Sequence, residues 1–141
     1  MTPLVSVIMA VRDAESTLVA SLQSVSTQTF TRFEFIIIDD GSSDQTGAIL
    51  RAAAEKDARI LVHPQSPSGL AVSLNRAIAL AQGQYVARQD ADDISMPTRL
   101  ALQVERLEMD THLGALGTAA TIINDEGHVI GRFPTEHGVS A

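Results

Sequence analysis

Apolar and polar positions along the chain switch repeatedly between two rhythms. Leu4-Val5-Ser6-Val7-Ile8-Met9 is a short, nearly unbroken apolar run, the pattern of a strand covered on both faces. Leu18, Leu22 and Val25 then recur at i, i+4 and i+7 and predict a helix with one apolar face. Phe33-Glu34-Phe35-Ile36-Ile37-Ile38 reads as a second strand, rich in aromatic and β-branched residues. It stops at Asp39-Asp40-Gly41-Ser42-Ser43-Asp44, a turn cluster that also supplies a helix N-cap. The alanine-rich stretch from about Gln45 to Lys56 predicts the next helix. Arg59 to Val62 predicts a short third strand and Pro64 to Gly69 a loop. Leu70, Leu74 and Ile78 mark a third helix, which Gly83 ends as a C-terminal cap. Tyr85-Val86-Ala87 is the core of a fourth strand that runs into Asp90-Ala91-Asp92-Asp93. Pro97 suits a first helical turn, and Leu100, Val104 and Leu107 give a fourth helical face. Ala115 to Ile123 predicts another strand, and Asp125-Glu126-Gly127 a turn into Val129-Ile130.

Strands alternating with helices predict an α/β fold with a mostly parallel central sheet and helices on both faces. Right-handed crossovers leave few topologies, and no repeat or linker divides residues 1–141, so one domain is expected. Composition narrows the function classes. With 141 residues, 45% of them hydrophobic, the chain can bury a core and lacks the signature of disorder. Ten basic against 17 acidic residues, a net charge of -7, argue against nucleic acid as a partner, because that binding rests on Lys and Arg. The absence of cysteine excludes disulfides, thiolate metal sites and a cysteine nucleophile. No apolar run approaches the roughly 18 to 20 residues of a membrane span, and Met1-Thr2-Pro3-Leu4-Val5 lacks the positive region of a signal peptide. A soluble, cytoplasmic chain is expected, with peripheral association at the inner face of a membrane left open.

In open α/β sheets, ligands collect beyond the C-terminal ends of the strands, and both acidic clusters are predicted there. Asp39, Asp40, Asp90, Asp92 and Asp93 are therefore expected to converge on that edge. Clustered like charges call for a cation or hydrogen-bond donors, and all-oxygen ligands favour Mg²⁺ or Mn²⁺ over zinc. Each cluster read alone is also consistent with a turn and a helix cap. His63, His112, His128 and His137 show no metal-ligand spacing, and no Gly-x-Ser-x-Gly elbow or phosphate-binding glycine loop is present. Arg12, Arg76 and Arg88 fall near the same loops, where phosphates could be met.

Taken together, these segments resemble the family 2 glycosyltransferases, whose GT-A fold is a Rossmann-like three-layer α/β/α sandwich that binds nucleotide sugars. The matching segments are Val5 to Met9, Gln28-Thr29-Phe30, Phe33 to Ser43, Leu74 to Ala77, and Gly83 to Asp93. The resemblance runs from about Leu4 to Gly131. It implies that Asp40 hydrogen bonds the nucleotide base and that Ala10, Val11 and Arg12 line the base pocket. Asp90 would face the ribose and the metal's water shell, and Ala91 would belong to the same nucleotide-sugar site. Asp92, the last residue of the Asp-x-Asp motif, would ligate a divalent cation, Mn²⁺ or Mg²⁺, that bridges the diphosphate. The implied reaction is transfer of a sugar from a nucleoside diphosphate, most simply UDP-linked, to a saccharide or lipid-linked acceptor hydroxyl with inversion. Polysaccharide biosynthesis at the cell envelope would be its setting. Two positions depart from the family. Its Pro-x-Tyr-Asn after the first strand is Ala10-Val11-Arg12-Asp13 here, and its basic residue before Asn75 is Leu74.

The family's acceptor-binding half carries the general base, expected beyond Ala141, since neither Glu126 nor Glu136 sits in a matching motif. The chain is thus expected to be the donor-binding N-terminal part of a longer enzyme. The competing reading is a non-catalytic nucleotide-binding or regulatory module that keeps the fold. A nucleotidyltransferase ranks behind both, because Arg12-Asp13-Ala14-Glu15 is not a glycine-rich basic loop.

Overall fold

The computed structural model of the chain describes residues 2–124 and 126–133. Its elements follow in the order β1 (Val5–Val11), α1 (Leu18–Ser26), β2 (Phe33–Asp39), α2 (Thr46–Lys56), β3 (Ile60–Pro64), α3 (Leu70–Leu80), β4 (Tyr85–Arg88), α4 (Arg99–Met109), β5 (Ala120–Ile123) and β6 (Val129–Phe133). Two compact units are formed, residues 1–100 and 101–141.

In the first unit four parallel strands form one sheet in the order β3-β2-β1-β4. The chain steps from β1 to β2 to β3 in one direction and then jumps back across β1 to β4. Right-handed crossovers therefore place α1 and α2 on one face and α3 on the other, which is the three-layer α/β/α arrangement. Contacts agree: α1 meets α2, and α3 packs on β1 and β2. Strand alternation divides the core. Ile8, Ile36 and Ile38 pack against Ala77, Leu74 and Ala81 of the α3 layer. Val7, Met9, Phe35 and Ile37 have the opposite parity and are just as fully buried, as are Leu18, Leu22 and Val25 of α1 and Leu50 of α2. Fully burying each such side chain contributes about 1.5–3 kcal/mol, which explains the unbroken apolar runs in the two central strands.

The second unit is smaller. It holds the later turns of α4 and an antiparallel hairpin of β5 and β6. Gly127, at φ 81, turns that hairpin, while the Asn124 side chain accepts the amides of Glu126 and His128. The expected turn is found there; its first residue, Asp125, lies outside the described residues, as do Glu136 and His137.

Some boundaries differ from the sequence expectation. β3 begins at Ile60, because the Asp57 carboxylate accepts both the backbone N–H and the Nε of Arg59 and turns the chain just before it. Arg59 also lies over the Phe33 ring, 4.2 Å from its centre. β5 begins only at Ala120. Gly83 is not a helix cap. The helix ends at Leu80 with an extended Ala81, and Gly83 is required for a different reason: a Cβ there would stand 2.6 Å from the backbone nitrogen of Ser6.

Candidate functional site

The strand order decides which loops can meet. The connection leaving β1 carries α1 on one face and the connection entering β4 carries α3 on the other, so the C-terminal ends of β1 and β4 open a crevice at the switch point of the sheet. A cleft of about 440 Å³ lies there, lined from β1 and its following loop by Ala10, Val11, Arg12 and Asp13, and from beyond β4 by Arg88, Asp90, Ala91 and Asp92. Leu70, at the start of α3, closes one side. That volume falls in the ordinary range for a bound small molecule. A larger groove of about 820 Å³ runs between α1, α2 and the start of β3. It lies at the opposite end of the strands; of its three charged residues Asp57 and Arg59 already pair with each other at 2.7 Å, and Lys56 is exposed. The smaller cleft is the one that carries unspent polar chemistry.

Six of the seven predicted site residues thus come together, and Asp40 does not. It stands at the end of β2, across β1 from β4, about 10 Å from the acidic turn by strand spacing. The five carboxylates all lie beyond the C-terminal ends of the strands, as expected, but in two groups with separate uses. Asp40 is 5% exposed and accepts hydrogen bonds from Gln65 Nε2 at 2.7 Å and from the amides of Ser68 and Gly69 at 2.8 Å. The Gln65 contact, aided by the Gly69 and Ser68 amides and opposed by burial, holds its carboxyl below the usual carboxylate value. Asp39 caps Ser42, its Oδ1 accepting that amide at 3.0 Å. Arg76 is likewise engaged elsewhere, donating to the Pro64 carbonyl and to Gln65 Oε1.

The floor of the cleft is braced by two interlocked loops. Asp13 takes a left-handed backbone, φ 47, and its Oδ1 accepts the Ser43 amide at 2.7 Å. That backbone hydrogen bond is the main cause of its lowered pKa. Ala14 donates to Thr46 Oγ1, Glu15 donates to Asp44, and Gln45 donates back to Glu15. Ala10 to Asp13 are thereby held against the turn after β2, which gives that Asp-Gly-Ser segment a structural task.

At the acidic turn, Arg88 donates two parallel bonds to Asp90, Nε to Oδ1 at 2.9 Å and Nη2 to Oδ2 at 3.0 Å. Asp93 has a raised pKa, first from burial and then from the charges of Asp90 and Asp92. Arg99 and Arg88 oppose that shift without cancelling it. Among the described residues no group of three or more His, Cys, Asp or Glu could by itself hold a metal ion. The donor set fits a hard cation of another kind, one that keeps its waters, takes one or two carboxylates and draws its remaining ligands from a phosphate-bearing substrate.

Sequence reading missed the support beneath this turn. α1 has a second buried face, polar rather than apolar, made by Ser21 and Ser24 and continued just past the helix end by Gln28. Ser21 Oγ donates to the Asp90 carbonyl, Ser24 Oγ accepts the Ser95 amide, and Gln28 spans the Met96 carbonyl and the Leu100 amide. The signal was the spacing i, i+3, i+7, which on an amphipathic helix looks like the solvent side.

A parallel sheet with a charged cleft at the switch point between β1 and β4 defines the class: an α/β fold of the GT-A type. Residues 6–133 match the Glycosyl transferase family 2 model, and the chain belongs to that family. It is 39% identical over 127 residues to the protein EpsE of Bacillus subtilis, covering 89% of this chain and 46% of EpsE. It is 33% identical over 131 residues to WfgD of Escherichia coli, named a UDP-Glc:alpha-D-GlcNAc-diphosphoundecaprenol beta-1,3-glucosyltransferase, covering 92% of this chain and 50% of that protein. Among solved structures, S. aureus TarS 1–349 in complex with UDP superposes with a TM-score of 0.69 at 27% identity, over 74% of this chain and 32% of that one. The chain spans about half the length, or less, of these relatives.

Proposed function

We propose that this chain is the donor-binding part of a glycosyltransferase that moves a sugar from a nucleoside diphosphate, most simply UDP, to an acceptor hydroxyl. The observation that carries the reading is the meeting of Ala10, Val11 and Arg12 with Asp90, Ala91 and Asp92 in one cleft at the sheet's switch point. Ala10 and Val11 offer an apolar wall for a base, while Arg12 and Arg88 offer donors to phosphate oxygens. UDP is favoured because WfgD is named for UDP-Glc and TarS was solved with UDP. In this reading Asp92 holds a divalent cation, Mn²⁺ or Mg²⁺, and Asp90 turns from Arg88 toward the ribose and the cation's waters. Asp40 meets the base by exchanging one of its three donors for an imide N–H. The bound cation would supply Lewis-acid stabilisation of the departing diphosphate. Attack by a saccharide or lipid-linked hydroxyl, assisted by a base outside this chain, would break the sugar–phosphate bond with inversion.

A second reading, a nucleotide-binding module without chemistry, is favoured by the changed Ala10-Val11-Arg12-Asp13 segment and by the Arg88 pair that already occupies Asp90. Calorimetric titration of UDP, GDP and dTDP, with and without Mn²⁺, tests the donor site. The expected result is Mn²⁺-dependent binding of UDP that falls at least tenfold in Asp92→Asn, about 1.4 kcal/mol. No binding of any nucleotide under either condition would overturn the proposal. Sugar transfer by the full-length protein separates the two readings, since only the enzyme would show it.

A further inference from the structure

The acidic turn is shaped from below by one buried amide. Gln89, the residue before Asp90, is 2% exposed and lies at the end of β4, its own backbone N–H donating to the Ile8 carbonyl. Its Nε2 donates to the Asp93 carbonyl at 2.8 Å and is shared between the Asp90 carbonyl and Ser21 Oγ, each at 3.2 Å. Its Oε1 accepts from Ser95 Oγ at 2.6 Å and from Arg99 Nη1 at 2.9 Å. A guanidinium can only donate, so the atom it meets must be the amide oxygen, which fixes the orientation of the amide and aims its N–H groups at the turn. Arg99 is anchored in turn by the Arg88 carbonyl and Ser95.

We infer that Gln89 is a positioning residue for the Asp90–Asp93 turn, fixing where the Asp90 and Asp92 carboxylates point before any ligand arrives; this rests on the donor-site reading above. The geometry has the needed polarity. Both carbonyls that Gln89 grips are drawn to the buried side, which leaves Asp92 exposed on the cleft side. The Asp93 amide closes the turn on the Asp90 carbonyl at 3.2 Å, and Ser21 holds the same carbonyl from α1. Repulsion among Asp90, Asp92 and Asp93 would open an unbraced turn. A buried amide satisfied at both ends resists that opening without adding charge.

The test uses the whole 141-residue chain with Gln89→Leu, which removes the amide, and Gln89→Glu, which keeps an acceptor for Ser95 and Arg99 but removes the N–H donors. The Glu variant serves where the Leu variant fails to fold. Two readouts are taken: ligand-free hydrogen exchange at the Asp93 amide, and UDP titration with and without Mn²⁺. Expected are exchange at Asp93 at least tenfold faster while β1 core amides keep their rates, and Mn²⁺-dependent UDP binding weakened about tenfold. UDP binding without metal should change less than about twofold. Equal acceleration of all amides, or equal weakening of both binding modes, would mean a merely structural residue and would overturn the inference. So would unchanged Asp93 exchange beside intact wild-type binding. Absence of Mn²⁺-dependent binding in the wild type overturns the donor-site reading itself and with it the purpose given to this turn.

Discussion

A carboxylate that accepts three N–H donors from one loop is a clasp as much as a functional group, and Asp40 shows how both uses meet in one residue. Its partners, Gln65, Ser68 and Gly69, lie 25 to 29 positions downstream and lead directly into α3. No local pattern around Asp39-Asp40-Gly41 announces them, so the acid was legible and its occupation was not. The folded-state pKa lies below the ordinary value of 3.8. A depressed carboxylate stabilises the fold at pH above its unfolded value and loses that contribution as the pH falls through the folded one. Asp40→Asn should therefore lower the melting temperature at neutral pH, and the gap should narrow below about pH 3.8. Thermal melts of both proteins between about pH 7 and pH 2.5 check this; a gap of constant size would show that the donors do not depend on the ionised form.

At the scale of elements, periodicity found β1 to β5 and the four helices. The runs of β1 and β2 and the stripe of α1 face the core, whereas Leu70 and Ile78 of α3 and the β5–β6 hairpin are exposed. What it could not supply was the reason behind individual positions. Gly83 was placed correctly and explained wrongly: its amide donates to Ser6 Oγ, Ser6 Oγ donates to Glu34, and Glu34 also accepts the Gln82 amide. This buried network ties the turn before β4 to β1 and β2, and it works only while the turn lies directly on the β1 backbone. A methyl group at Gly83 would meet the Ser6 nitrogen at 2.6 Å and the Val5 carbonyl carbon at 2.7 Å, and backbone cannot swing aside. Gly83→Ala should cost about 1–3 kcal/mol, read from the midpoint of urea unfolding. A change within about 0.5 kcal/mol would mean that β1 and this turn separate more easily than their packing implies. The polar face of α1 makes the same point. Ser21, Ser24 and Gln28 are buried because a polar loop, not water, lies over them.

For the whole molecule, the class of fold was legible and the order of strands was not, since four parallel strands with helical crossovers admit several orders. That order is what seats the β1 loop beside the turn after β4 and moves Asp40 one strand away. Among the described residues no helix is long and apolar enough to cross a membrane. The chain spans 46% of EpsE and 50% of WfgD. Sugar transfer needs a donor site, an acceptor site and a base within reach of the attacking hydroxyl, and the proposed reading gives the cleft between β1 and β4 the first of these. The 141-residue chain should therefore bind UDP with Mn²⁺ yet transfer no sugar from UDP-glucose to a saccharide or lipid-linked acceptor. A radiolabelled-sugar assay at saturating donor measures this directly. Efficient transfer would place an acceptor site and a base within these residues, and the proposed division between donor-binding and acceptor-binding parts would fall.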